Sequence, residues 1–231
     1  MAAFERAVRL GYSYLETDVH ATADGVLLAF HDDALDRVTD ARGTVATLPW
    51  SRIRRARIGG REPIPRLDEV LDAWPQVRVN VDVKRPAAIG PLLDVLRRTA
   101  AVDRVCVASF SDARLRAVRA AAGPRLATSL GPREVVALRA TSYHSGAQRW
   151  LPDGAACVQV PVGAGRLTLV DERLVGTAHR LGLQVHVWTV DDPGQMHRLL
   201  DLGVDGIVTD DLEVLRDVLA ERGSWQPAGR R

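Results

Sequence analysis

Glu16 and Asp18 stand two residues apart in "YLETDVH", whose composition and alternation read as a β-strand, so both carboxylates leave the same side of the chain. Asn80, Asp82 and Lys84 repeat that spacing in "VRVNVDVK". Three carboxylates gathered at one end of a sheet repel each other unless a cation lies among them. A hard divalent ion with oxygen ligands, Mg²⁺ or Ca²⁺, meets that need, and the residue types do not choose between the two. Lys84 adds an ammonium at the rim. A cation and an ammonium together make an anion site suited to a phosphoryl oxygen. After the first strand a turn at Asp24-Gly25 folds the chain back through "VLLAFH" to His31. Its near-neutral titration suits proton transfer, with Asp32 or Asp33 placed to orient the ring. The candidate metal ligands are therefore Glu16, Asp18 and Asp82. The candidate catalytic groups are His31 and Lys84, and Lys84 doubles as a substrate contact.

Thirty of the thirty-one basic residues are arginine, and Lys84 is the one lysine. A lysine that persists in such a composition needs a compact ammonium where arginine would offer a planar fork. Asn80, the only asparagine, lies four residues before it. Trp188, at the end of the strand-like run "LQVHVW", is a candidate pocket wall for substrate. His186 shares its parity and reads as a satisfied interior histidine. His144 falls in the irregular segment 141–155 and is placed to touch ligand. His20, His179 and His197 read as solvated positions.

The chain of 231 residues has 46% hydrophobic and 26% charged residues, an ordinary globular composition. A formal charge of +2 with scattered arginines argues against a nucleic-acid footprint. The densest basic run, "RIRRAR" at 52–57, reads as a solvated helix face. No apolar stretch reaches the roughly 18 residues of a membrane span. Cys106 and Cys157 both lie in short apolar runs and read as buried free thiols, which fits a reducing, cytoplasmic setting.

Strand and helix patterns alternate almost throughout. With "VLLAFH" set aside as a hairpin return, seven parallel strands are expected, each followed by a helix or helical loop. Helices are expected near 87–100, 111–122, 132–140, 170–181, 193–202 and 211–221. The expected fold is α/β, a (β/α)8 TIM-type barrel lacking its first strand in this chain; such barrels typically have about 250 residues. A seven-stranded doubly wound sheet is the alternative. The expected organisation is one barrel domain over 1–222 and a flexible C-terminal tail over 223–231.

Together these runs resemble the glycerophosphodiester phosphodiesterase family. "LETDVHATADGVLLAFHDDALDRVTDARG" matches its Glu-x-Asp-Val, Thr-x-Asp-Gly, His-Asp and Arg-x-Thr run. "VNVDVK" looks like its Asn-x-Glu-x-Lys strand, and "ASFSDARLRAVR" resembles its Ser-Phe segment. "GLQVHVWTVDDPGQMHRLLDLGVDGIVTD" matches the closing Trp-Thr-Val and Gly-Val-Asp-Gly-Ile-x-Thr-Asp blocks. The resemblance implies a divalent-cation hydrolase of lipid metabolism that cleaves glycerophosphodiesters to glycerol 3-phosphate and an alcohol. Carried over, Glu16, Asp18 and Asp82 bind the metal, His31 is one of two acid/base histidines, and Lys84 contacts phosphate. In the family mechanism the glycerol hydroxyl attacks phosphorus and water then opens the cyclic phosphate.

Two departures accompany the resemblance. Asp82 stands where the family usually has glutamate, although the related sphingomyelinase D group of spider venoms has aspartate there. The family also opens with a strand carrying His-Arg-Gly and then Pro-Glu-Asn-Thr, whereas this chain begins at the helix that follows. A chain so shortened is expected to be poorly stable and nearly inactive beside an extended one. The alternatives are a non-catalytic truncated barrel that binds a phosphorylated ligand or partner, and a cyclising phospholipase of similar shape acting on lysolipids.

Overall fold

The computed structural model describes residues 1–165 and 167–227, which form two compact units, 1–127 and 128–227. The last four residues of the expected tail, 228–231, lie outside the described residues.

The first unit opens with helix α1 (Ala2–Leu10), whose end is set by Gly11 at φ 106°. That left-handed backbone is one a side chain rarely tolerates. Strand β1 (Tyr14–Ala21) turns at Asp24-Gly25 into β2 (Leu27–Ala29), which pairs antiparallel with it, Val19 opposite Ala29. The hairpin expected from the sequence is therefore present. A long excursion follows, with its own core of Leu28, Phe30, Leu35, Val45, Ile53, Ala56 and Ile64. A short helical turn, Trp50–Ile53, carries the start of the arginine run, and Arg52, Arg54 and Arg55 are exposed as expected.

Helix α2 (Leu67–Ala73) stops just before Pro75. Strand β3 (Arg78–Val83), helix α3 (Ile89–Arg98), strand β4 (Val105–Ala108), helix α4 (Asp112–Ala122) and strand β5 (Ala127–Thr128) complete the alternation. The sheet order is β2-β1-β3-β4-β5, with β1 and β4 each parallel to β3. Along β1, β3 and β4 the odd-numbered residues Leu15, Val19, Val79, Val81, Val83, Val105 and Val107 are buried. The even-numbered residues of β1 and β3 are largely polar, so the two faces of this sheet have opposite character. Arg104 ties α2 to the sheet by donating to the carbonyls of Leu71 at 2.7 Å and Val77 at 3.1 Å.

The second unit contains α5 (Pro132–Thr141), a 3₁₀ segment (Ser145–Trp150), β6 (Cys157–Pro161), α6 (Glu172–Arg180), β7 (Gln184–Trp188), α7 (Pro193–Asp201), β8 (Gly206–Ile207) and α8 (Leu212–Glu221). The 3₁₀ segment occupies the middle of the stretch expected to be irregular. Strand β7 is central, parallel to both β6 and β8. Cys157 is buried, Cys106 in the first unit is half-buried, and neither is in a disulfide. At the start of the tail, Ser224 N and Trp225 N both donate to Leu219 O, so the described residues there fold back on α8.

Asp171 begins α6 by accepting from Leu174 N at 2.8 Å, and it holds Arg139 of α5 through two bonds of 2.7 Å. Arg139 first, then the helix amide, keeps its carboxyl below the usual range. A carboxyl depressed in this way stabilises the fold above its unfolded-state pKa, and the contribution fades as pH falls through the folded value. Asp171→Ala is expected to cost about 1 kcal/mol near neutral pH. In urea unfolding the gap between variant and parent should narrow on acidification, and a gap that widened would contradict this account of the pair.

Candidate functional site

Register brings the polar positions together. Glu16 lies beside Asn80 and Asp18 beside Asp82 across the parallel β1–β3 pair, so all four side chains leave the same face. Exposure falls along the row: Glu16 is exposed, Asp18 half-buried, and Asp82 5% exposed. Lys84, just past the end of β3, bridges the two deeper carboxylates. Its Nζ lies 2.5 Å from Asp18 Oδ1 and 3.1 Å from Asp82 Oδ2. Burial alone would lower the Lys84 pKa, but the two carboxylates outweigh it and raise the value, so the ammonium stays charged. The same ammonium stands 5.7 Å from the centre of the Phe110 ring, a side chain 62% exposed just beyond β4.

Asp82 is only partly satisfied. Burial pushes its carboxyl above the usual range against the lowering pull of Lys84, and its Oδ1 is buried with no hydrogen-bond partner. A buried carboxylate oxygen without a partner is costly unless something positive meets it. Among the described residues no group of three His, Cys, Asp or Glu side chains is gathered closely enough to hold a metal ion. The structure joins Asp18 and Asp82 through Lys84, and Glu16 follows one step back on the same face. The donor set nonetheless suits a hard cation, since it consists of carboxylate oxygens and one of them, Asp82 Oδ1, is unsatisfied.

His31 reaches this end of the sheet through the hairpin. Phe30 N donates to Asp18 O at 2.9 Å, which brings the residue before His31 against the first strand. A cleft of about 490 Å³ is lined by His20, His31, Asp32, Asp33, Arg37, Lys84 and Arg85, so His31 and Lys84 face one space. The His31 ring is 70% exposed and its Nδ1 lies 2.7 Å from Asp32 Oδ1. The carboxylate accepts, so Nδ1 carries the proton and Nε2 is left for exchange. Arg37 grips Asp32 through Nε at 2.6 Å and Nη2 at 2.7 Å. That contact, with His31, holds the Asp32 carboxyl far below the usual range. Of the two candidates for orienting His31, Asp32 does so, and Asp33 is instead forked by Arg85.

His20 is a correction. It was expected to be solvated, yet it is 2% exposed, with Nε2 3.1 Å from His31 O. Its parity with Glu16 and Asp18 was the available signal: residue 20 lies on the face that carries them, under the hairpin return. Arg37 and Arg85 were also missed as lining residues, and Arg85 meets Asp33 across fifty-two positions that no local pattern spans.

In the second unit Trp188 is half-buried at the end of β7, and His144 is exposed. His186 is half-buried, its Nδ1 3.2 Å from Gln159 Nε2, and burial lowers its pKa, as suits a neutral interior histidine. His179 is exposed and paired with Asp205, and His197 is half-buried beside Glu221.

A model of the glycerophosphoryl diester phosphodiesterase family matches residues 1–214. A Mycobacterium tuberculosis protein named among the glycerophosphodiester phosphodiesterases is 42% identical over 99% of this chain and 87% of its own length. The glycerophosphodiester phosphodiesterase of Caldanaerobacter subterraneus subsp. tengcongensis is 30% identical over 96% of this chain and 92% of its own. Among solved structures, an Oleispira antarctica phosphodiesterase in complex with the product sn-glycerol-3-phosphate aligns with a TM-score of 0.78. It is 21% identical, and the alignment covers 95% of this chain and 90% of that one. With the parallel strands and intervening helices of both units, this likeness gives the fold class as α/β of the TIM-barrel type. No helix among the described residues is long and apolar enough to cross a membrane.

Proposed function

Because the chain belongs to the glycerophosphoryl diester phosphodiesterase family, we propose that it hydrolyses glycerophosphodiesters to glycerol 3-phosphate and an alcohol. One observation carries the reading to this site: Lys84, bonded to Asp18 and Asp82, faces the same cleft as an oriented His31. The Lys84 ammonium takes a non-bridging phosphoryl oxygen of the substrate. His31 Nε2 moves a proton between the cleft and the reacting oxygens, with Asp32 and Arg37 fixing the ring. The glycerol 2-hydroxyl gives up its proton and bonds to phosphorus, and the bond from phosphorus to the departing alcohol oxygen breaks. Water then opens the cyclic phosphate. Glu16, Asp18 and Asp82 would hold a divalent cation, Mg²⁺ or Ca²⁺, which would supply Lewis-acid stabilisation of the phosphoryl charge.

Trp188 remains a candidate substrate contact on the strength of its aromatic face and its half-buried place at the end of β7. We read one catalytic domain over 1–222, and the single family match over 1–214 supports the reading of one domain. The two strand-borne cysteines, neither in a disulfide, support a reducing, cytoplasmic setting.

The test is direct. The protein is incubated with glycerophosphocholine and with glycerophosphoethanolamine, with either ion or with chelator, and glycerol 3-phosphate is quantified. Ion-dependent release of glycerol 3-phosphate is expected. A cyclic phosphate that accumulates without it would favour the cyclising phospholipase, and no product under any condition would leave a non-catalytic binding module.

A further inference from the structure

We propose that His20 is a positioning residue for His31, a buried brace that fixes the backbone from which the proton-transferring imidazole projects. The inference rests on the proton-transfer role read for His31 above. His20 is the last polar residue on the even face of β1, and its side chain is 3% exposed. A histidine so enclosed is held by specific partners. Its Nε2 lies 3.1 Å from the carbonyl oxygen of His31. A carbonyl can only accept, so Nε2 donates. Its Nδ1 lies 3.5 Å from Asp33 Oδ1, the oxygen to which Arg85 Nε donates at 3.0 Å. His20 therefore touches the His31–Asp33 segment at both of its ends.

Each neighbouring contact fixes something different. Asp32 and Arg37 set the rotation of the His31 ring. Neither sets the height of its Cα over the sheet. The β1–β2 ladder ends at Val19 opposite Ala29, and Phe30 N to Asp18 O is the next bond outward. From inside the ladder, where His20 stands opposite Leu28, its ring reaches past this bond to the His31 carbonyl. Removing that donor leaves a half-buried carbonyl unpaired and lets the segment shift. A shift of about 1 Å in a reacting group is enough to cost on the order of 10²-fold in rate.

The experiment compares His20→Leu and His20→Gln in the full chain. Glutamine places an amide N–H close to where Nε2 stands, whereas leucine fills the volume without a donor. Two readouts are taken: the imidazole ¹⁵N signals of His31, and kcat and KM on glycerophosphocholine. For the leucine variant the His31 signals should move or broaden. Its kcat should drop by about 10²-fold, with KM within about threefold of wild type. The glutamine variant should recover the wild-type signals and most of kcat. Unchanged His31 signals in a folded leucine variant, or a glutamine variant as damaged as the leucine one, overturn the brace. If the leucine variant does not fold, the glutamine variant decides by whether its His31 signals match wild type. A wild-type protein without phosphodiesterase activity would sink the reaction assigned to the site, while the His31 signals would still decide the brace.

Discussion

Replacing His31 with alanine is expected to lower kcat by about 10²–10⁴-fold, the usual worth of a positioned acid/base group. Fold and cation binding should stay at wild-type levels. The ring is mostly exposed, so little packing goes with it. Asp32, its side-chain partner among the described residues, keeps the Arg37 fork when the imidazole is gone, so no buried charge is stranded. KM should change little, because Lys84 still meets the phosphoryl group. Steady-state kinetics on glycerophosphocholine beside an unfolding curve checks both halves. A His31→Ala protein that turns over at the wild-type rate would remove this histidine from the chemistry.

Asp82→Asn is expected to have the opposite signature, losing function while sparing or raising stability. Asp82 is held as a buried carboxylate with one oxygen unpartnered, and burial raises its pKa. An acid whose folded pKa exceeds its unfolded one binds its proton more tightly when folded. Stability then declines as pH climbs from the unfolded pKa through the folded one, and the ionised form above that window is a cost to the fold. Asparagine keeps the shape and removes that cost, and Lys84 retains Asp18 at 2.5 Å. In chelator at neutral pH the variant should unfold at a denaturant concentration equal to or above that of the parent. Mg²⁺ or Ca²⁺ should protect it much less, and kcat should drop by at least about 10²-fold, since a cation in such a site is worth several kcal/mol. A variant that is clearly less stable in chelator, or that binds the ion as well as the parent does, would show that Asp82 serves the fold and not the cation.

These two residues also mark what a sequence can disclose. The alternation of strands and helices was legible because each element buries one regular face, and the valines of β3 at 79, 81 and 83 are that regularity. The same alternation placed Asp18, Asp82 and Lys84 together, since parallel register between β1 and β3 carries parity from one strand to the next. Depth was not legible. Parity gave His20 the same face as Glu16, yet one is buried and the other exposed, and the difference comes from the hairpin that folds over the end of β1. Nor was Arg85 with Asp33, because ion pairs between distant loops obey no periodicity and depend on where the 26–64 excursion settles on its own core.

The lone lysine has an experimental consequence. Apart from an α-amino group, the chain offers acylating reagents one nitrogen nucleophile of this class, and it sits inside the cleft. Clasped by two carboxylates and kept protonated, that ε-amine should label sluggishly. Anything that draws Asp18 or Asp82 away from it, or covers it, should alter the labelling rate. A mass shift on a single peptide would then report occupancy of the site without an assay of turnover.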